Sequence, residues 1–201
     1  MTPRKPSTDQ PTLRERQRST VRSDLAHSAM ALLDEKGWSE VTAADIAQTA
    51  GISVRTFYRH FATKSDALWP ILHEHMKNQH KAFIDSDETD IVERAADALV
   101  ISFESSQGGL ESAHRTYRLL LGTDDLTSVW LRATVESEAG YTAAIETAFP
   151  EFSDPHEARL IAAIIVTCIR VALFDWIYDR PETLRAHAVR ALDRAALRRP
   201  I

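Results

Sequence analysis

Val54 to His60, VRTFYRH, concentrates side chains suited to binding an anionic, hydrogen-bonding surface. Arg55 and Arg59 are forked guanidinium donors four residues apart, so in a helix they share a face, about 6 Å apart along the axis. Val54, Thr56, Tyr58 and His60 complete a surface of methyl, hydroxyl and imidazole groups beside them. A short helix showing Arg, Thr, Tyr, Arg and His to solvent suits a DNA groove. The same pattern also fits an ordinary helical hairpin.

The elements that hold this helix can be read on either side of it. Thr42 and Asp45 stand three apart, a capping-box pair whose side-chain oxygens satisfy free N–H groups at a helix start. Ile46, Ala47 and Ala50 follow as a short apolar stripe, and Gly51 stands where a helix ends most easily in the left-handed region. Ile52 tucks into the angle between the two helices, and Ser53 is a good N-cap for the second. Phe57 and Phe61, at i and i+4, anchor that second helix. Upstream, Leu25, Ala29, Leu32 and Leu33 predict a helix that ends at Lys36–Gly37 and buries this stripe against the pair.

The run IAQTAGISVRTFYRHFATKSDAL, Ile46 to Leu68, resembles the helix-turn-helix signature of TetR-type bacterial transcription regulators, and the likeness reaches back to about Arg18 through LAHSAMALLDEKGWSEVT. The resemblance implies an all-α protein with a three-helix DNA-binding head and a helical ligand-binding and dimerisation domain. It implies a homodimer on a palindromic double-stranded DNA operator, repression by default, and release by a small-molecule effector. By position it makes Arg55 and Arg59 the base readers, since Arg matches guanine O6 and N7 with two donors. Val54 and Thr56 would touch a thymine methyl or a phosphate. Thr42, Ser53, Tyr58, His60 and Lys64 would hold the backbone. The close run Arg14, Arg16, Arg18 and Arg22 reads either as a basic arm, with Arg18 and Arg22 reaching phosphates or the minor groove, or as a solvated charged end.

Charge agrees with such a division. The net charge is −5, yet residues 1–60 hold nine Lys/Arg against seven Asp/Glu, and residues 61–201 hold fifteen against twenty-two. A basic head on an acidic body favours docking in one orientation. The expected boundaries are a disordered tail over 1–12, a helix-turn-helix domain over 13–63, and a ligand-binding and dimerisation domain over 64–201. The polar N-terminus and the single Cys168 predict a cytoplasmic protein. The longest uncharged run, Leu160 to Ile169, is too short to span a bilayer, so no membrane partner is expected.

The body reads as helices over 89–106, 111–121, 124–148 and 155–178, with a last one opened by Pro181. A helix with Ser65 as its N-cap would carry Pro70 as its fifth residue and kink there. His73, His75 and His80 are expected to face solvent, because i and i+2 do not share a helical face. Phe103, Trp130, Tyr141 and Trp176 are candidate effector contacts, with Arg170 either paired to a carboxylate or holding an anionic effector. The helix over 155–178 and the stripe Leu184, His187, Ala188, Ala191, Leu192, Ala195 carry more apolar face than one body hides, which predicts dimerisation through 155–197. RTYRLLLGTDDLTSVWLRATVESEAGYTAAIETAF with IAAIIVTCIRVALFDWI resembles the C-terminal domain of the mycofactocin-type TetR subfamily, which implies an acyl-CoA as one effector. No GxSxG, Walker loop, dinucleotide fingerprint or metal triad occurs, so no catalytic residue, metal or cofactor is expected. The competing readings are a helical enzyme and a helical scaffold without DNA.

Overall fold

The structure, a computed structural model, describes residues 12–106, 108–152, 154–178, 181–195 and 197. Most of the expected N-terminal tail lies outside the described residues. Among those described, every regular element is helical: nine α-helices and one 3-10 turn. The chain divides into two compact units, Met1–Pro70 and Ile71–Ile201.

The first unit holds α1 (Leu13–Lys36), α2 (Ala43–Thr49), α3 (Val54–His60) and the 3-10 turn Ser65–Leu68. Each of the three α-helix starts is side-chain capped, as the sequence predicts for α2 and α3. Thr12 and Glu15 form a capping box on α1, Thr42 and Asp45 form one on α2, and Ser53 caps α3. Helix α2 ends in a Schellman turn: Ile52 N–H donates to the Ala47 carbonyl at 2.9 Å and Gly51 N–H to that of Gln48 at 3.0 Å. Gly51 has φ 69°, a backbone angle that glycine adopts without the strain a Cβ brings. Leu25, Ala29, Leu33, Val41, Ile46, Phe57, Phe61 and Leu68 form the buried core of this unit.

The second unit is built from α4 (Trp69–Asp85, which starts at the end of the first unit), α5 (Ile91–Glu104), α6 (Gly109–Leu121), α7 (Asp124–Ala148), α8 (Pro155–Tyr178) and α9 (Leu184–Arg194). One expectation needs correction here. Residues 65–68 are a 3-10 turn and α4 begins at Trp69, so Pro70 is its second residue, not its fifth. In the first turn a missing N–H removes no α-helical bond.

Helix α8 packs along α7 and α9, and α9 also packs on α5. At 24 residues α8 is long and apolar enough to cross a membrane by length and composition, although only a ten-residue stretch of it is free of charge. More than half of its most apolar window is buried inside the unit, as befits a central core helix. The α9 stripe also turns inward: Leu184, His187, Ala188 and Leu192 are buried within their own chain.

Candidate nucleic-acid interface and ligand cavity

Ser53 Oγ accepts the Thr56 N–H at 3.1 Å, which starts α3, and Phe57, wholly buried, pins its inner side. The opposite side presents Val54, Arg55, Tyr58 and Arg59, all exposed. Tyr58 stands edge-to-face on Phe57 with centroids 5.3 Å apart, so its ring is braced while its hydroxyl end stays in solvent. Neither Arg55 nor Arg59 has a hydrogen-bond or ion-pair partner among the described residues. The Thr56 hydroxyl lies 3.0 Å from Ser53 Oγ, so both hydroxyls are engaged at the cap. His60 is half-buried; burial first, then the charges of Arg59, Arg18 and Arg22, lower its pKa, and the ring is neutral at pH 7. The recognition segment is therefore one exposed, arginine-bearing face on a firmly held seven-residue helix.

Three expected backbone-binding residues have work inside the head. Arg22 Nη1 donates to the His60 carbonyl at 2.7 Å, and its guanidinium lies 4.4 Å from the centre of the Phe61 ring. Instead of reaching outward it closes the C-terminal end of α3, where a cation also complements the helix dipole. Lys64 Nζ donates at 2.8 Å to the carbonyls of both Trp38 and Val41 and sits over the Trp38 ring. Two of its three donors thus lock the turn between α1 and α2. At Thr42 the backbone N–H and the hydroxyl both donate to the Asp45 carboxylate, at 2.8 Å each, and Lys36 pairs with the same carboxylate. An acidic group therefore already occupies the anion-facing start of α2. Arg18 remains exposed on α1.

The arrangement at Lys64 has a measurable consequence. Lys64→Met keeps the aliphatic stem over Trp38 but leaves two loop carbonyls without their donor. The expected loss of head stability is about 1–3 kcal/mol, with operator and random DNA weakened alike. Thermal melting monitored by circular dichroism tests this. An unchanged melt with weaker DNA binding would assign Lys64 to phosphate contact alone.

In the second unit a cavity of about 30 Å³ lies among α4, α5, α6, α7 and α8. Leu99, Phe103, Tyr117, Trp130, Val166 and Leu173 give it apolar and aromatic walls, and His75, Met76, Gln79 and Tyr141 complete it. Of the expected effector contacts, Phe103, Trp130 and Tyr141 line it. Arg170 and Trp176 do not. Trp176 lies behind Phe103, its ring stacked at 6.5 Å and edge-on to His114 at 4.8 Å. Arg170 is half-buried on α8, outside the lining, with no ion pair among the described residues.

The histidines correct a second expectation. His73 is exposed, but His75 and His80 turn inward. His80 Nε2 lies 2.9 Å from Ser137 Oγ, its ring stands edge-on to Tyr141, and burial lowers its pKa to about 4. A Cβ on Gly140 would stand 2.1 Å from the His80 ring, so only glycine admits this contact. Burial likewise lowers the pKa of His75, whose ring stands edge-on to Phe103. No cluster of metal-ligating side chains occurs among the described residues.

Two capped helices joined by a tight turn, the second showing arginines outward, are a helix-turn-helix, which places the chain among DNA-binding proteins of that class. The family model described as bacterial regulatory proteins, tetR family, matches residues 25–68. The transcriptional regulator TcmR of Streptomyces glaucescens is 30% identical over 187 residues, 86% of this chain and 80% of that protein. The mycofactocin biosynthesis transcriptional regulator MftR of Mycobacterium tuberculosis is 30% identical over 113 residues; that match takes in 55% of this chain and spans only 57% of MftR. Among solved structures, Thermus thermophilus FadR, a TetR-family repressor in complex with lauroyl-CoA, superposes with a TM-score of 0.62. The superposition covers 90% of this chain and 97% of that one at 17% identity, a likeness of fold. The chain belongs to the TetR family of transcriptional regulators. These relatives regulate transcription and are not enzymes.

Proposed function

We propose that this TetR-family regulator is a cytoplasmic repressor that binds a palindromic operator as a homodimer, through residues 13–63, and leaves it when a small, largely apolar effector enters the body, residues 64–201. The observation that carries the reading is the exposed face of α3, where Arg55 and Arg59 have no partner among the described residues while Phe57 anchors the inner side. An unpaired guanidinium pair on a rigid, short helix is suited to two guanine edges in a major groove. The body supplies an aromatic cavity against α4, the helix that continues from the head's last turn. An effector releases DNA only if it binds better to a body shape that does not fit the operator, so operator DNA must weaken effector binding by the same factor.

An acyl-CoA effector is supported by the lauroyl-CoA bound to FadR, whose fold this chain shares. It loses the anchor the sequence suggested for it, because Arg170 does not line the cavity.

The primary test is a mobility shift on DNA flanking the chain's own gene. Arg55→Ala is expected to cost about 1–3 kcal/mol on the operator and to relax base preference at one position, with little change on random DNA. Equal weakening on both DNAs would remove Arg55 from base reading.

A further inference from the structure

The cavity's polar atoms say what kind of molecule it accepts. The hydroxyls of Ser102 and Thr134, on its wall, donate to carbonyls of their own helices, and that of Ser137 meets His80. Three other polar atoms have no hydrogen-bond partner: the amide nitrogen of Gln79, the hydroxyl of Tyr141 and Nδ1 of His75. Gln79 is 7% exposed and Tyr141 1%, so water outside the cavity does not satisfy them. A buried polar group left unpaired is costly, which makes each a strong selector of what binds beside it.

Gln79 and Tyr141 are neighbours, and the amide opposes the upward push that burial gives the Tyr141 phenol. The contact does not meet full hydrogen-bond geometry, and both atoms are left without a well-formed bond. Even a direct bond between them would engage only one of the two amide hydrogens. A donor therefore always remains for a guest. His75 stands one turn before Gln79 on α4, so both present to the same side. Its ring is neutral at pH 7, because burial lowers its pKa more than Glu74 raises it. No Lys or Arg lines the cavity. An anion entering it would lose its hydration and meet no opposite charge.

We propose that this cavity, read above as the effector site, selects a neutral aromatic or alicyclic ketone or similar carbonyl compound, whose oxygen accepts hydrogen bonds from Gln79 and Tyr141, and that it rejects carboxylates. The rings of Phe103, Tyr117 and Trp130 supply flat apolar walls for the remainder. At about 30 Å³ the cavity is far below the roughly 150 Å³ that admits a benzene ring, so a ring-sized guest must widen it. Met76, an unbranched and adaptable side chain on α4, is the wall best able to yield.

A trio of nearly isosteric probes tests the chemistry by calorimetric titration of the full chain: 2-acetylnaphthalene, 2-isopropenylnaphthalene and 2-naphthoate. The ketone is expected to bind at least about tenfold more tightly than either of the others, because only it supplies a neutral acceptor. Gln79→Leu and Tyr141→Phe should each narrow the ketone-to-olefin ratio to within about threefold while leaving the olefin's affinity in place. Equal affinities for ketone and olefin, preference for the carboxylate, or no binding of the ketone overturns the proposal. Operator affinity is measured in parallel. Ketone selectivity that leaves operator affinity unchanged upholds the cavity chemistry and refutes its role as the effector site.

Discussion

Arg94→Leu is expected to destabilise the body by about 3–5 kcal/mol, lowering its melting temperature by roughly 6–20 °C. Arg94 is buried, and its guanidinium donates to four backbone carbonyls: Phe83 at 2.6 Å, Glu88 at 2.8 Å, Ile84 at 3.2 Å, and Ser86. Two of these belong to the last turn of α4, whose carbonyls have no intrahelical donor, and the others to the connection that leads into α5. The same guanidinium lies over the rings of Phe83 and Phe149. Burial lowers the Arg94 pKa from its ordinary value and the charges of Asp87 and Glu88 oppose this, so the group stays a cation.

Leucine fills much of the volume but leaves the carbonyls without donors, and a one-sided loss of this kind is the costly case. Arg185 provides the contrast. It pairs with Glu93 at 2.8 Å and Asp97 at 2.6 Å, but on the surface, where Arg185→Ala should cost under about 1 kcal/mol. Melting both variants beside the parent decides the matter. Similar small shifts for the two would show that Arg94 does not hold the end of α4.

Arg94 also marks what the sequence left hidden. It stands on the apolar stripe of α5, three residues after Ile91 and four before Ala98, all three buried. An arginine at a core position is a visible signal, but the carbonyls it serves come from another helix and a loop, which no spacing rule specifies. The head was more legible, because its chemistry is local. The Thr42–Asp45 capping box, the Ser53 cap, the Gly51 turn and the Phe57–Phe61 anchor all act within five residues, and each appears as the spacing predicts. The intrachain partners of Lys64 and Arg22 were hidden for the same reason as those of Arg94: these carbonyls lie 23 to 38 residues away in sequence. In the body, helical spacing found Phe103, Trp130 and Tyr141 but not the inward turn of His75 and His80. For His80 that turn depends on Gly140 leaving room on a facing helix.

The same distinction narrows the dimer contact expected over 155–197 to α8. Ala191→Glu follows from the apolar stripe of α9, but that stripe packs within its own chain, and Cys168 Sγ already lies 3.5 Å from the Ala191 carbonyl. The surplus is on α8. Leu160, Ile164, Thr167, Val171, Phe174 and Tyr178 recur at alternating steps of four and three, the seam of a helix that packs against another helix. Leu160, Val171, Phe174 and Tyr178 are 55%, 42%, 52% and 51% exposed, and the rings of the last two stand 4.8 Å apart. Two copies of this seam facing each other would remove several large side chains from water, each worth about 1.5–3 kcal/mol when fully buried.

Phe174→Glu places a carboxylate in the middle of that contact. Because Phe174 is exposed within the single chain, the fold itself should keep its melting profile. The expected outcome is monomer by sedimentation velocity and at least about a hundredfold weaker operator binding, because two half-sites are then no longer bound as a linked pair. Val171→Glu, one turn away, should do the same. An intact dimer in both variants would place the interface off α8, and a monomer with undiminished operator affinity would mean that each head reads its half-site alone.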